Sequence, residues 1–280
     1  MNPSTLDERS LSLRRIALGS LLATGGGHVG ASFSSIEIMR ALYDSVARHR
    51  PSEPRWPDRD RIILSKGHGC LAQYVLLSEH GYFPATELAS IGKKGALLGG
   101  HPEYGMVPGI EFSTGSLGHG LSAGVGMAFE LRRRGFRSAV YVVLGDGELG
   151  EGSVWEALMS ASHHRLANLV VIVDANGIQS SGRTKDVLDP GPLADRLTAF
   201  GCVVREVDGH DVVAIEDALT TPAAGPRAVI CRTVKGRGLD IAEDTPHWHY
   251  RMGLNETEIA AMTESLMSTA ATAALSGGAA

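Results

Sequence analysis

Two side chains with hard oxygen donors, Asp146 and Asn176, stand thirty residues apart, each just beyond an apolar segment of strand type. Tyr141-Val142-Val143-Leu144 and Leu169-Val170-Val171-Ile172-Val173 are apolar and largely β-branched, the pattern of strands buried on both faces of a parallel sheet. Between them, residues 151–165 have helical length and few breakers, so the segment reads as a right-handed β-α-β unit. Ligands of such sheets sit beyond the carboxyl ends of the strands, where Asp146 and Asn176 would face one crevice. A carboxylate, an amide carbonyl and a backbone carbonyl suit Mg²⁺ or Ca²⁺, with diphosphate oxygens and water completing the shell. The chemistry predicted from this pair is metal-assisted binding of a diphosphate.

The same loop also spells Gly145-x-Gly147-x-x-Gly150, a dinucleotide-binding pattern, with Asp174 near the place of a ribose-binding acid. The charges oppose that alternative. Asp146, Glu148 and Glu151 crowd the loop that a bare pyrophosphate would approach. One carboxylate about 5 Å from a phosphate oxygen costs roughly 3 kcal/mol at an effective dielectric of about 20. A divalent cation between them turns Asp146 from a repulsive group into a ligand.

Histidines beside glycines form a second candidate set. His28 follows Gly26-Gly27, His68 lies in Lys66-Gly67-His68-Gly69, His101 in Gly99-Gly100-His101-Pro102-Glu103, and His119 in Gly118-His119-Gly120. His249 lies in Trp248-His249-Tyr250. A lone histidine is ordinarily a surface or satisfied-core residue. Several on glycine-bearing loops around one sheet can instead hold sugar hydroxyls, touch phosphate and move protons near neutral pH.

The elements that must carry these residues follow from pattern. Residues 6–23 read as an amphipathic helix ended by Gly25-Gly26-Gly27. Ser34 or Ser35 is a candidate cap for a second helix reaching about residue 48, with Glu37 complementing its dipole. Residues 51–57 form a Pro-rich loop containing Trp56, and 60–65 a short strand that turns through His68 into a helix. Thr86 is a candidate cap for another short helix, and 92–118 is loop-rich. Helix 120–133 carries small residues for close packing; strands at 203–207 and 228–234 flank a helix over 211–220; a last helix begins near Glu256.

At 280 residues, 43% hydrophobic and 20% charged, the chain reads as one α/β domain over 1–280, frayed at 276–280. A net charge of −5 gives no footprint for nucleic acid, and Arg132-Arg133-Arg134 reads as a solvated helix end. Cys70, Cys202 and Cys231 have no metal or redox spacing and fit reduced, buried thiols. With no apolar run of membrane-spanning length and a polar N-terminus, a cytoplasmic protein with no membrane partner is expected.

Six segments, in order, resemble those of thiamine-diphosphate enzymes of the transketolase type, and specifically the N-terminal subunit of a split transketolase. They are Ser65-Lys66-Gly67-His68-Gly69, Gly100-His101-Pro102-Glu103, Ser113-Thr114-Gly115-Ser116-Leu117-Gly118-His119-Gly120, Gly145-Asp146-Gly147-Glu148-Leu149-Gly150-Glu151-Gly152, Asp174-Ala175-Asn176-Gly177-Ile178 and Arg232-Thr233-Val234-Lys235-Gly236-Arg237-Gly238. The resemblance implies a three-layer α/β/α fold with a mostly parallel central sheet, and thiamine diphosphate with Mg²⁺ or Ca²⁺ as cofactors. It implies Asp146, Asn176 and the Ile178 carbonyl as metal ligands. Gly145, Gly147 and Glu148 fall in the same cofactor loop, with Gly115, Ser116 and Leu117 lining the diphosphate. His68 resembles the histidine near the diphosphate and the reacting carbon, and His101 the one that helps deprotonate a donor hydroxyl. His28 resembles the one near the sugar's first hydroxyl; His249, with His247 as its competitor, resembles the one reaching the same region. Glu151 matches a carboxylate at a subunit interface, and a helix-dipole role is compatible with it.

The implied reaction is transfer of a two-carbon ketol unit from a ketose or ketose phosphate to an aldose. The pyrimidine-binding domain of full-length transketolases has no counterpart in this sequence. The resemblance therefore implies a partner subunit carrying it, in an α2β2 assembly, and a chain catalytically silent alone. Alternatives are the α subunit of a 2-oxo acid dehydrogenase or decarboxylase, which shares the metal motif without this histidine set, and a non-catalytic cofactor-binding homologue.

Overall fold

The computed structural model describes residues 3–180 and 182–276. Five parallel strands form the central sheet: β1 (Arg61–Leu64), β2 (Val140–Gly145), β3 (Leu169–Ala175), β4 (Val203–Asp208) and β5 (Arg227–Arg232), in the order β1-β2-β3-β5-β4. The inner strands alternate between two apolar clusters. Ile62, Leu64, Tyr141, Val143, Val170 and Ile172 face one, while Ile63, Val142, Leu144, Val171 and Val173 face the other. Both faces are therefore covered by helices, as a sheet with no polar face requires. Helices Glu8–Thr24, Cys70–Glu79 and Val212–Thr220 lie on the first side; His119–Arg133, Gly152–His163 and Leu193–Ala199 lie on the second. The architecture is the expected three-layer α/β/α. A Cβ at Gly124 would sit 2.5 Å from Val142 Cγ2, which is how the small-residue helix comes close to the sheet.

The first helix ends on Gly25 in a left-handed conformation (φ 79°), and its amide donates back to the last turn. Other local expectations are corrected. The second helical region starts early, as Val29–Ser34 and Ile36–Arg40, and neither Ser34 nor Ser35 makes a side-chain cap. Ser34 Oγ instead donates to Asp174 Oδ2 (2.7 Å), and Ser35 Oγ to Ala31 O (2.7 Å). The region closes at Val46 in a widened turn, with Ala47 N donating to Leu42 O (2.9 Å). Glu37 does stand in the first turn of Ile36–Arg40, and it is also wholly buried, salt-bridged to Arg14 and bonded to His210 Nδ1 (2.8 Å). Thr86 is not a cap, because Pro84 precedes the turn Ala85–Ser90 and no side-chain bond closes it. The last sheet strand stops at Arg232, freeing residues 233–235 to turn over the sheet edge. Glu130 pairs with Arg133 and Arg134 at the basic helix end. All three cysteines are buried and free. No described helix is long and apolar enough to cross a membrane. The expected fraying at 276–280 falls, beyond Ser276, outside the described residues.

Candidate active site

Four adjacent strands, β1, β2, β3 and β5, end at one edge of the sheet and deliver Lys66 and His68, Asp146, Asn176, and Lys235 respectively. Register pairs Gly145 with Asp174, so Asp146 leaves its strand beside Asn176. Asp146 is buried; its Oδ1 accepts from Gly147 N (2.9 Å) and its Oδ2 from Gly177 N (2.7 Å). Asn176 Nδ2 donates to Asp174 Oδ2 (3.2 Å) and Asn176 Oδ1 accepts from Ile178 N (3.1 Å). The Ile178 carbonyl accepts from Lys235 Nζ (2.9 Å). All three predicted metal ligands line one cleft of about 240 Å³, together with Gly145, Gly147, Leu117 and Glu151.

The donor set fits a hard cation. Among the described residues no three His, Cys, Asp or Glu side chains converge as a metal site. A divalent ion here would draw on Asp146, the Asn176 amide oxygen and the Ile178 carbonyl, plus oxygens brought by its ligand, which is the shell Mg²⁺ or Ca²⁺ accepts. Burial, with Asp174 nearby, pushes the Asp146 carboxyl above its ordinary range, a cost a bound cation would offset. Gly147 is required by proximity: a Cβ there would meet Gln179 Cβ at 2.4 Å.

Glu148 is a second buried carboxylate of the cleft. It accepts from Ser65 Oγ and Gly118 N (2.8 Å) on Oε1 and from Gly145 N (3.2 Å) on Oε2. It clamps three loops of the cleft together, and burial raises its carboxyl above the usual range. Glu151 is exposed at the start of helix Gly152–His163 and makes no capping bond. The 115–117 loop is held against the His68 turn, since a Cβ on Gly67 would meet Thr114 Oγ1 at 2.7 Å and Gly115 N at 2.9 Å. Ser116, on the same loop, is exposed.

Four of the five candidate histidines, His28, His68, His101 and His249, come together. The His28 ring lies 5.5 Å from His68, 5.7 Å from His101 and 5.8 Å from His249, and His68 lies 5.1 Å from His249. A second cleft, of about 410 Å³, is lined by His28, His68 and His101; His68 lines both clefts and so stands at their junction. His247 is exposed beside Trp248, which leaves His249 as the cluster's member. His119 is exposed at a helix start, away from the cluster. Tyr74 Oη anchors the His101 backbone by donating to its carbonyl (2.8 Å). Burial, together with neighbouring His101 and Lys235, lowers His28 to about 4. Burial and Lys235 do the same to His249, again to about 4, and burial with Lys66 takes His68 to about 2. These three imidazoles are therefore neutral near pH 7 and can each accept a hydrogen bond.

Two buried cations lie within the motifs, yet sequence reasoning gave them no role. Lys66 pairs with Asp174 and also donates to Ser35 Oγ (2.9 Å). Lys235 contacts His249 Nδ1 (3.0 Å) and is lowered to about 8 by burial and by Lys66. The available signal was a lysine in each of two glycine-bearing loops following a strand. Asp174 has no free oxygen for a ribose: it is fully buried and accepts from Lys66, Ser34, Thr233 and Asn176. With a turn, Gly147–Gly150, rather than a helix start after the first glycines, the dinucleotide alternative fails.

The parallel sheet and the oxygen-lined cleft beyond its carboxyl ends define a ligand-binding α/β protein. Residues 7–272 match the family described as "Transketolase, thiamine diphosphate binding domain", and the chain belongs to that family. It is 40% identical over 260 residues to one of the subunits of the apulose-4-phosphate transketolase of Actinobacillus succinogenes, covering 90% of this chain and 94% of that protein. It is 38% identical to the 6-deoxy-6-sulfo-D-fructose transketolase subunit SqwG of a Clostridium species, covering 85% of this chain and 88% of the relative. Among solved structures, the R525L mutant of Pichia stipitis transketolase superposes with a TM-score of 0.84 at 31% identity, covering 94% of this chain. The chain spans only 41% of that longer transketolase.

Proposed function

We propose that this chain is the N-terminal subunit of a split transketolase, holding the diphosphate and metal end of thiamine diphosphate and one side of the sugar site. The observation that carries the reading is His68, which joins the oxygen-lined cleft to the histidine cluster. Asp146, Asn176 and Ile178 would hold Mg²⁺ or Ca²⁺, and the backbone of Gly147 and of residues 115–117 would approach the diphosphate. Lys235 and Lys66 supply positive charge beside that anion. Bound thiamine diphosphate would supply the electron sink for carbon–carbon cleavage. His101, His28 and His249 would orient the donor's hydroxyls, and a neutral imidazole among them would take the hydroxyl proton as the bond breaks.

Relatives of similar length are named as subunits, which supports a partner polypeptide; the proposed assembly is α2β2, the partner bearing the pyrimidine-binding domain. The relatives' substrates carry a phosphate or a sulfonate, which supports an anionic sugar as donor. Native mass spectrometry of the complex from its host, cofactor identification and a ketol-transfer assay test the reading together. A heterotetramer releasing thiamine diphosphate and transferring a two-carbon unit is expected. A homo-oligomer without that cofactor, or full activity from the isolated chain, overturns it.

A further inference from the structure

The histidine-side cleft has one aromatic wall that the proposed ketol transfer leaves without a task. Residues Gly26–Gly27 pair antiparallel with Arg251–Met252, Gly26 opposite Met252 and Gly27 opposite Arg251. One step along the same register, His28 stands opposite Tyr250, and their rings meet with centroids 4.6 Å apart at a 50° tilt. The ribbon is built for this contact. Gly26 has φ +131°, and a Cβ there would lie 2.0 Å from Arg251 O, so only glycine allows the pairing. Arg251 is in turn tied to Glu258 (2.7 Å), and Gly253 N donates to Gly25 O (2.9 Å).

Tyr250 lines the cleft yet is 55% exposed, and no hydrogen bond joins its hydroxyl to another described residue. A large ring held over a histidine by a specialised ribbon, with its polar tip free at the cleft mouth, is poorly explained as packing alone. The cleft is also lined by apolar Leu21, Leu71, Ile91 and Met252 and by polar Ser20, Thr24, Ser32 and Lys93. We propose that Tyr250 is a specificity-determining residue for the sugar donor. Its ring shapes the cleft against the carbons next to the carbonyl, and its hydroxyl bonds one sugar hydroxyl. The inference rests on the transketolase reading and names the residue that selects among polyhydroxy ketoses at that site.

The test uses this chain assembled with its partner, thiamine diphosphate and Mg²⁺, and two ketose phosphates of different chain length. Loss of one hydrogen bond to a neutral partner predicts that Tyr250→Phe raises donor KM about two- to ten-fold with kcat nearly unchanged. Tyr250→Ala should raise it further and shift the kcat/KM ratio between the short and long donors. Thiamine diphosphate affinity and the melting temperature should stay at wild-type values in both variants. Unchanged donor KM and donor ratio overturn the inference, as does a KM change accompanied by equal loss of cofactor affinity, which marks a structural role. If the wild-type assembly binds thiamine diphosphate but transfers no ketol unit, the transketolase reading fails instead, and the inference falls with it.

Discussion

Lys66 and Asp174 form an ion pair beneath the carboxyl edge of the sheet, with side-chain exposures of 1% and 0%. The pair does more than neutralise two buried charges. Asp174 is acceptor-only, so its contact with Asn176 Nδ2 turns the Asn176 amide oxygen away, toward Ile178 N and the cleft. Burial alone would raise the Asp174 carboxyl; Lys66 and the donors around it reverse that and hold it below its ordinary range.

Removing the carboxylate leaves an ammonium buried without its counter-charge, which is strongly destabilising. Asp174→Ala is expected to cost about 3–5 kcal/mol by urea unfolding, whereas breaking a surface pair such as Arg133–Glu130 costs roughly 0–1 kcal/mol. A loss for Asp174→Ala no larger than the surface variant's would show that Lys66 finds another partner.

Asp146 separates binding from folding. Asp146→Asn gives up one side-chain acceptor of a backbone N–H but sheds a buried charge near Asp174, so stability of the metal-free chain should stay within about 1 kcal/mol of wild type. Merely disorienting a metal ligand costs about 10- to 100-fold in affinity, and losing one should cost at least as much. Calorimetric titration of thiamine diphosphate with and without Mg²⁺ reads this out. Wild type should need the metal and lose the cofactor to a chelator; the variant should bind weakly in both conditions. Equal, metal-independent binding by both would remove Asp146 from the site.

How much of the molecule is legible in its sequence depends on the range of the interaction. The inner strands are readable because both faces are apolar, and the site's loops because glycine and histidine recur at strand ends. Glu37 is only half legible: its first-turn place follows from its type, but its partners, Arg14 and His210, lie 23 and 173 residues away in sequence. Arg14 sits on the buried face of an amphipathic helix, where pattern expects an apolar residue. Ser34 and Ser35 fit a cap by type, but Asp174 and the Ala31 carbonyl, on the site side, claim their hydroxyls. Lys66 and Lys235 reveal their role only once the sheet aligns four strand ends.

The Arg14–Glu37–His210 cluster makes a second buried prediction. Arg14 donates to both Glu37 oxygens, to Ser10 O (3.2 Å) and to Phe33 O (3.1 Å), while His210 Nε2 accepts from Val234 N (2.8 Å), next to Lys235. Glu37→Leu strands the guanidinium and should cost about 3–5 kcal/mol. Replacing Arg14 and Glu37 together by Met and Leu should recover much of that loss. A double variant as unstable as the single one would show that the cluster's hydrogen bonds to backbone, rather than its charge balance, hold these helices.

The neutral histidines predict a pH dependence with a definite sign. Burial first, then the charges of Lys235, Lys66 and their fellow histidines, lowers His28 and His249 from 6.5 to about 4. The unfolded chain takes up protons at these positions below about pH 6.5, and the folded chain resists them until about 4. Their contribution to stability is therefore complete above 6.5 and drains away as pH falls toward 4. Asp174, lowered below 3.8, loses its contribution only at more acid pH. Asp146 and Glu148, raised by burial, act in the opposite sense in the upper window, so the histidine share is read from the difference between wild type and a histidine variant. Urea midpoints measured across that window should fall for wild type and fall less steeply for a His28→Gln, His249→Gln double variant. Parallel curves would mean that folding leaves these imidazoles as easily protonated as in the unfolded chain, and that burial does not hold them neutral.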